Sequence, residues 1–427
     1  MKKYEEMSRE ELLKEKAELE ARFKEIKEMG LNLNMARGKP EPAQLDMTMD
    51  MFDLVNKDTV LEGEDGTDLR NYGVLTGLPE ARKLMSEVLE CEPDEVIIGG
   101  NASLNLMFDC VSRAMSLGVL GGTPWSQVPD RKWLCPVPGY DRHFAITELF
   151  GFEMINIPMK EDGPDMDMVE KLVSEDPSIK GIWCVPKYAN PTGTTYSDEV
   201  VKRFAALKPA ASDFRIFWDN AYAVHDLDVE DPDVLLPLLP ESKKNGTEDM
   251  VYMFTSTSKI TFAGAGISAM GASKVNIDSI KAQLTIQTIG YNKINQYMHV
   301  KYLKDREGVK AHMAKHAAML KPKFLATDSI LREEIAPLGL GKWTLPKGGY
   351  FICFYALNGC AKRIVALAKE AGVTLTGAGA PFPYKKDPDD CVIRIAPSYP
   401  SVEEMRQATE IFACCVKLAS VEKFLAE

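Results

Sequence analysis

Several kinds of segment are missing from the 427-residue sequence, and each absence argues against a class of function. No run of 18 apolar residues occurs, so we expect no membrane-spanning helix. No run of five or more basic residues occurs and the net charge is −12, which argues against nonspecific nucleic-acid binding, because that binding needs cations that displace phosphate counterions. The N-terminal stretch lacks the apolar core of a signal peptide, so we expect a cytoplasmic protein.

The cysteines are too scattered, and the histidines too few, to predict a metal centre. The nine cysteines contain no C-x-x-C pair and are odd in number, a pattern typical of reduced, mostly buried thiols. Of the five histidines, only His312 and His316 share helical spacing. They occur in a Lys-rich stretch, where we expect a solvated helix face.

Short apolar runs alternate with helical stretches from about residue 80 to about residue 300. The apolar runs at 96–98, 132–135, 154–157, 181–185, 214–218 and 251–254 predict strands, and 103–117, 167–175 and 198–207 predict helices. This alternation predicts an α/β fold with a mostly parallel sheet, of the seven-stranded type, covered by helices on both faces. The last third predicts a smaller α+β unit, with a Lys-rich helix near 301–325, strand-like segments at 343–355 and 391–396, and helices near 361–371 and from Val402.

Ser8 and Glu11 form a capping-box pattern that predicts a helix through about Met29. Gly30 ends this helix, and an extended arm and loop follow it. Together these patterns divide the chain into three parts. We expect an N-terminal helix and arm at 1–48 that pack with the smaller unit, a large domain at 49–305 and a small C-terminal domain at 306–427.

Lys259 ends the run Phe254-Thr255-Ser256-Thr257-Ser258-Lys259, directly after a predicted strand. A lysine amine can form a Schiff base with an aldehyde cofactor and can then move a proton as a general acid and base. Ser256 and Ser258 would add hydroxyl donors for a phosphate. The alternative is a surface lysine after a polar run.

Asp219 follows the predicted strand 214–218. A carboxylate after four apolar residues needs a cationic partner, and it could pair with a pyridinium nitrogen and keep that nitrogen protonated. Tyr222 would lie on the same side and reach the O3′ atom of such a cofactor. Asn190, in Asn190-Pro191-Thr192-Gly193, could donate to the same phenolate oxygen, although an Asn-Pro turn is the alternative.

Two further loops follow predicted strands. Gly99-Gly100-Asn101-Ala102-Ser103 opens a helix, whose free N–H groups at Ala102 and Ser103 could hold a phosphate; an ordinary strand-to-helix turn is the alternative. Tyr140 could stack on a flat ring and His143 could support the carboxylate behind that ring, although a core position is the alternative for Tyr140. Because ligands of open α/β sheets gather at the carboxyl ends of the strands, these residues together predict a pyridoxal 5′-phosphate (PLP) site.

Arg394 alternates with apolar residues in Val392-Ile393-Arg394-Ile395-Ala396. A guanidinium in that position is expected to face a planar anion, and its fork suits the α-carboxylate of an amino acid. The alternative is a structural ion pair.

These residues resemble the motifs of PLP-dependent aminotransferases of fold type I, class I/II, over nearly the whole chain. The resemblance also includes Asn71-Tyr72-Gly73, Gly77-Leu78-Pro79-Glu80 and Lys347-Gly348-Gly349-Tyr350-Phe351. The residues around the phosphate turn and the lysine are similar to those of a bacterial aspartate aminotransferase branch called subgroup Ic. The resemblance implies a homodimer with active sites at its interface, in which Tyr72 reaches the phosphate of the neighbouring subunit.

One segment departs from the family pattern. Where the family has Gly-x-Arg-x-Gly, with an arginine that binds phosphate, this chain has Gly264-Ala265-Gly266-Ile267-Ser268, and no arginine occurs between Arg215 and Arg306. The phosphate must then be met by serines, Tyr72, the helix N-terminus or a lysine. The arginine for a distal substrate carboxylate is missing from the same region. Candidates to replace it are Arg37 and Lys39, in the loop that matches the family's substrate segment and includes Gly38, and behind them Arg142 and Lys293.

The resemblance implies transamination between an amino acid, L-aspartate in this branch, and 2-oxoglutarate by a ping-pong mechanism through Lys259. Two alternatives stay open, because one scaffold hosts many chemistries. The first is a PLP-dependent β-lyase or decarboxylase. The second is a non-catalytic effector-sensing domain, against which stands a leader of only about 40 residues, too short for a helix-turn-helix module.

Overall fold

The computed structural model describes residues 2–426. Its α-helices are α1 (Arg9–Glu28), α2 (Pro42–Asp46), α3 (Pro79–Leu89), α4 (Ser103–Leu117), α5 (Asp141–Leu149), α6 (Met166–Glu175), α7 (Asp198–Ala205), α8 (Leu238–Asn245), α9 (Lys274–Gln287), α10 (Lys293–Leu303), α11 (Arg306–Glu334), α12 (Ala361–Glu370) and α13 (Val402–Ala426). Its strands are β1 (Leu33–Asn34), β2 (Val96–Ile98), β3 (Lys132–Val137), β4 (Glu153–Lys160), β5 (Gly163–Pro164), β6 (Ile179–Cys184), β7 (Arg215–Asp219), β8 (Val251–Ser256), β9 (Ser268–Ala272), β10 (Gly341–Trp343), β11 (Ile352–Ala356), β12 (Val373–Thr374) and β13 (Val392–Ile395).

An eight-stranded sheet forms the centre of the molecule, with the strand order β2-β9-β8-β7-β6-β3-β4-β5. The strands from β8 to β4 run parallel to their neighbours, whereas β9 is antiparallel to both β8 and β2. The eighth strand, β5, has two residues and pairs antiparallel with β4. The predicted mostly parallel sheet is therefore confirmed.

Both faces of this sheet are buried, which explains why its strands read as nearly continuous apolar runs. Successive side chains of a strand point to opposite faces, so Val96 and Ile98 belong to one apolar cluster and Ile97 belongs to another. Helices α3, α6, α7 and α8 supply residues to the first cluster, and α4, α5 and α9 supply residues to the second. The carboxyl ends of the parallel strands β6, β7 and β8 lie side by side, so the C-terminal residues of these strands are close together.

A second group of strands comes from the two ends of the chain. Strands β10, β11 and β13 form an antiparallel sheet, and β1 pairs parallel with β12. The ring of Tyr4 packs edge-on against Phe424 of α13, at 6.5 Å between centroids. These contacts join the N-terminal segment to the C-terminal elements. The boundaries at 48/49 and 305/306 stay a prediction.

The N-terminal helix begins as predicted. The Ser8 hydroxyl accepts the N–H of Glu11 at 3.2 Å, and the Glu11 carboxylate accepts the N–H of Ser8 at 2.6 Å. The helix ends at Glu28, one residue before the predicted end, and Gly30 follows with φ of +62°. The capping-box prediction is confirmed.

The prediction of one Lys-rich helix near 301–325 with a solvated histidine face is wrong. The chain turns at Lys304, with φ of +65°, and the Asp305 side chain caps α11 by accepting the N–H of Gly308 at 2.8 Å. His312 and His316 are buried. They share the inner stripe of α11 with its apolar residues, while most of its lysines occupy the outer stripe.

Membrane spans, metal-binding clusters and disulfides can each be compared with residues 2–426 of the structure. None of the helices in this part of the chain has the length and apolar content of a membrane span. The same residues contain no group of three or more His, Cys, Asp or Glu side chains that could hold a metal ion. The nine cysteines are free thiols and most are buried, as predicted.

Candidate active site

A cavity of about 560 Å³ lies at the carboxyl ends of β6, β7 and β8. This volume is in the range of sites for small molecules and cofactors. Most of the residues predicted from the sequence line it, namely Arg37, Gly38, Ala102, Ser103, Tyr140, Asn190, Asp219, Tyr222, Ser256, Ser258, Lys259 and Arg394. The fold therefore gathers residues that are up to 357 positions apart in the chain, counted from 37 to 394.

Asp219, the last residue of β7, is buried at the base of this cavity. Its Oδ2 atom lies 2.9 Å from Nε2 of His143, and that imidazole stacks on Trp183 with 4.6 Å between ring centroids. The other oxygen, Oδ1, has no hydrogen-bond partner in the described part of the chain. A buried acceptor without a hydrogen bond costs folding free energy, so we expect a donor in the cavity to bind this oxygen.

Lys259 extends over two tyrosine rings. Its Nζ atom lies 5.0 Å from the ring centroid of Tyr222 and 5.8 Å from that of Tyr350. Burial lowers the pKa of Lys259, and the charge of Asp219 opposes this effect. Burial also raises the pKa of Tyr222 well above its ordinary value, so Tyr222 stays a phenol that can donate a hydrogen bond. The amine is therefore more available as a nucleophile than that of an exposed lysine.

One end of the cavity collects groups that suit an anion. Helix α4 starts after Ala102 without a side-chain cap, so no side chain of the described residues accepts the N–H groups of Ser103 and Leu104 in its first turn. The hydroxyls of Ser256 and Ser258 lie 3.0 Å apart, and the Ser258 hydroxyl donates to the carbonyl of Asn101 at 3.0 Å. This end has the features of a phosphate site.

Arg394 faces the cavity and is largely buried. Its Nη1 donates to Asp141 at 3.0 Å and to the Asn190 side-chain oxygen at 3.2 Å, while Nη2 donates to the Thr376 hydroxyl at 3.2 Å. The guanidinium lies over the Phe351 ring at 4.9 Å. Both interpretations made from the sequence, an anion-facing arginine and a structural ion pair, thus have a physical basis.

The candidates for a distal substrate carboxylate are not equivalent. Arg37 and Arg142 are exposed at the cavity, and neither forms an ion pair within residues 2–426. Lys39 also lines the cavity, but its Nζ lies 3.9 Å from the ring centroid of Tyr399. Lys293 is buried elsewhere and donates to a backbone carbonyl at 3.3 Å. Arg37 and Arg142 are the better placed pair.

Tyr72 does not line this cavity. Its side chain is 81% exposed and borders a separate depression together with Lys293. Its role across a subunit interface, which the resemblance implies, stays a prediction.

Sequence reasoning missed several residues of the site, among them Asp141, Thr376, Trp183 and Phe351. Asp141 stands between the two predicted residues Tyr140 and Arg142, and that position is the only signal that could have found it. Trp183 is one of several apolar residues in a buried strand, so nothing in the sequence marks it as the support of His143.

The family model described as aspartate aminotransferase matches residues 7–427 of the chain. An aspartate aminotransferase from Corynebacterium glutamicum is 46% identical over 408 residues, which cover 95% of this chain and 94% of the relative. The crystal structure of an aspartate transaminase from C. glutamicum has a TM-score of 0.95 at 44% identity and covers 98% of both chains.

A more distant structure shares the fold. An α-aminoadipate aminotransferase from Thermus thermophilus, complexed with N-(5′-phosphopyridoxyl)-L-leucine, has a TM-score of 0.74 at 18% identity and covers 92% of this chain and 93% of its own.

Proposed function

The chain belongs to the aspartate aminotransferase family, and we propose that it transfers the amino group of L-aspartate to 2-oxoglutarate with PLP as its cofactor. The observation that carries this proposal is the meeting of Lys259, Asp219 and Arg394 in one cavity. A lysine amine, a carboxylate with a free oxygen and a guanidinium are the groups that an aldehyde, a ring nitrogen and an α-carboxylate require.

The residues of the cavity fit this cofactor. The unpartnered Oδ1 of Asp219 would accept a hydrogen bond from a protonated ring nitrogen. Tyr140 would pack on the ring, and the Tyr222 phenol and the Asn190 amide would donate to its phenolate oxygen. Ser256, Ser258 and the first turn of α4, at Ala102 and Ser103, would hold the phosphate. When bound, PLP supplies an aldehyde that condenses with amines and a protonated ring that withdraws electrons from the substrate's Cα–H bond.

The protein supplies positioning and proton transfer. Lys259 would hold the cofactor through its amine and, once released by the substrate, would move the proton from Cα of the amino acid to the cofactor's aldehyde carbon. The lowered pKa of Lys259 favours its neutral form, which can act as the base. Asp219 would keep the ring nitrogen protonated, and the His143 ring, 2.9 Å from the other oxygen of Asp219, would fix the orientation of that carboxylate.

Substrate specificity would come from two groups of cations. Arg394 would bind the α-carboxylate, with Asn190 beside it. Arg37 in the Gly38 loop and Arg142 would bind the distal carboxylate of aspartate or 2-oxoglutarate, because both are exposed at the cavity without an ion-pair partner among the described residues. A dicarboxylic substrate is thus favoured over a neutral one.

The proposal includes a homodimer with shared active sites. Tyr72 is 81% exposed and lies outside the cavity of its own chain, so its side chain is available to a second copy. The molecular mass in solution would test the dimer. If the protein is dimeric, Tyr72→Phe is expected to weaken PLP binding, and an unchanged affinity would remove Tyr72 from the shared site.

The visible absorption spectrum tests the function directly. The purified protein with PLP is expected to show the visible band of the bound cofactor, to lose it with L-aspartate and to regain it with 2-oxoglutarate. A band that ignores aspartate would mean that the cofactor is right and the substrate is wrong. Release of ammonia or pyruvate without a 2-oxo acid would favour the β-lyase alternative.

A further inference from the structure

The four histidines other than His143 are buried close to the turn that carries Lys259. One of them, His299, is joined to that turn by a continuous set of hydrogen bonds. His299 on α10 is fully buried, and both of its ring nitrogens have partners. Nδ1 lies 2.8 Å from the carbonyl of Asn295, and Nε2 lies 2.8 Å from the hydroxyl of Thr261. Among the histidines of residues 2–426, His299 is the one whose ring bonds a threonine of this turn.

The chemistry of these contacts defines the direction of each hydrogen bond. A carbonyl can only accept, so Nδ1 of His299 carries the hydrogen, and Nε2 of the neutral ring accepts from Thr261. Burial lowers the pKa of His299 to about 4, which keeps this ring neutral near pH 7. The Thr261 oxygen can then accept from the Thr257 hydroxyl at 3.1 Å, and the Thr257 oxygen accepts the N–H of Ile267 at 3.0 Å.

Lys259 lies inside the turn that this set of bonds closes. The N–H groups of Ile260 and Thr261 both donate to the carbonyl of Thr257 at 2.9 Å, so Lys259 is held between the two threonines. Thr257 and Thr261 are both buried. We call the set His299–Thr261–Thr257–Ile267 the threonine relay.

The threonine relay also explains why position 266 is a glycine. A Cβ atom at Gly266 would lie 2.7 Å from the Thr257 hydroxyl, closer than such contacts allow, and 3.0 Å from the carbonyl of Phe262, which is a tight contact. Asn295, on the same helix as His299, donates to the carbonyls of Ala265 at 3.0 Å and Gly266 at 2.9 Å. The loop is therefore tied to α10 by neutral groups in the space beside the lysine turn.

We propose that His299 is a positioning residue, which acts through Thr261 and Thr257 to fix the Lys259 turn and the adjoining phosphate end of the cavity. This inference rests on the proposed function for the identity of the cofactor. The Thr257 hydroxyl lies 2.7 Å from the place of a Cβ atom at position 266, so the relay disfavours an arginine there, and hydrogen bonds between neutral groups order the turn.

Three variants test the relay. His299→Leu removes both ring hydrogen bonds, and Thr261→Val removes the central hydroxyl at nearly constant shape. His299→Gln keeps an acceptor for Thr261. Thr409→Val is the matched control, because Thr409 is an equally buried threonine whose hydroxyl bonds a carbonyl within α13, away from the cavity.

Two readouts are measured on the full-length chain, namely amide hydrogen exchange of residues 257–268 without PLP and the dissociation constant for PLP by absorbance titration. His299→Leu and Thr261→Val are expected to speed exchange and weaken PLP binding, each about tenfold, the equivalent of about 1.4 kcal/mol. His299→Gln is expected to recover most of both losses, and Thr409→Val to change neither.

Three results would overturn the proposal. Unchanged exchange in both relay variants would mean that the relay does not order the turn. Faster exchange with unchanged PLP affinity would separate the relay from the cofactor. A His299→Gln protein as defective as His299→Leu would reduce His299 to a space-filling role. If the wild-type chain binds no PLP, the proposed function fails, and exchange in the cofactor-free chain still decides whether the relay orders the turn.

Discussion

Replacing Asp219 by asparagine removes a negative charge from the cavity and keeps the shape of the side chain. The wild-type carboxylate is buried, and Oδ1 has no partner in the described part of the chain. A carboxylate in this state favours a cationic donor, such as a protonated ring nitrogen, and disfavours the empty cavity. The substitution is therefore expected to have opposite effects on cofactor chemistry and on the stability of the cofactor-free protein.

The magnitudes follow from the one hydrogen bond that changes. Hydrogen bonds to charged groups contribute about 1.5–3 kcal/mol, so loss of the ionic bond to the ring should lower kcat/KM for L-aspartate by about 10- to 150-fold. The same change removes an unsatisfied buried charge, so the cofactor-free Asp219→Asn protein should be as stable as wild type or more stable by about 1–3 kcal/mol. His143 can still donate to the asparagine oxygen in its place.

The assays are steady-state kinetics with saturating PLP and urea denaturation of the cofactor-free protein. Asp213→Asn is the matched control, because both oxygens of Asp213 already have partners, Lys180 at 2.7 Å and the Trp125 indole at 2.8 Å. The control is expected to lose stability and to keep kcat/KM. An Asp219→Asn protein that keeps full activity and loses stability would refute the assignment of Oδ1 to the cofactor.

Three further outcomes are expected. Lys259→Ala should abolish multiple turnover while PLP still binds without covalent attachment, as judged by whether borohydride fixes the cofactor to the chain; retained turnover would remove Lys259 from the mechanism. Arg37→Ala and Arg142→Ala should each raise KM for aspartate about tenfold, from loss of about 1.4 kcal/mol, and leave KM for alanine nearly unchanged; equal effects on both substrates would discard that arginine as the distal clamp. Burial lowers the pKa of His299 and of His316 to about 4, so the unfolded chain binds more protons than the folded chain below about pH 6.5. Their contribution to stability is thus complete above about pH 6.5 and is lost as pH falls to about 4. The denaturation midpoint should therefore change less with pH over this range in His299→Gln than in wild type. An equally steep fall in the variant would contradict a contribution from His299.

The parallel part of the fold was predictable because each buried strand carries its own apolar run. Strand β9, Ser268–Ala272, was not predicted, because its small residues carry no periodic apolar signal and its position depends on antiparallel pairing with β8 and β2. The break at Lys304 was also missed. It depends on one positive φ and one capping side chain, which charge composition does not reveal.

The candidate site was predictable to the extent that its residues end strands or directly follow them; Asp219 ends β7 and Ser256 ends β8. Partners drawn from distant segments were not. Asp141 and Thr376 meet Arg394 only because β13 lies beside the cavity in three dimensions. The buried histidines of α11 were misjudged for a related reason, since their lysine neighbours on the outer stripe dominate the local composition.

The contact between position 266 and the Thr257 hydroxyl has an evolutionary consequence. A single replacement of Gly266 by arginine would force the new Cβ against that hydroxyl and against a main-chain carbonyl, so the substitution alone should be strongly deleterious. Exchange between a charged phosphate loop and this neutral one would require coordinated changes at both positions and a shift of the loop backbone. Related proteins with a threonine at the position of Thr257 and a glycine at the position of Gly266 should therefore keep or lose the two residues together. Engineering of this loop should change both positions at once.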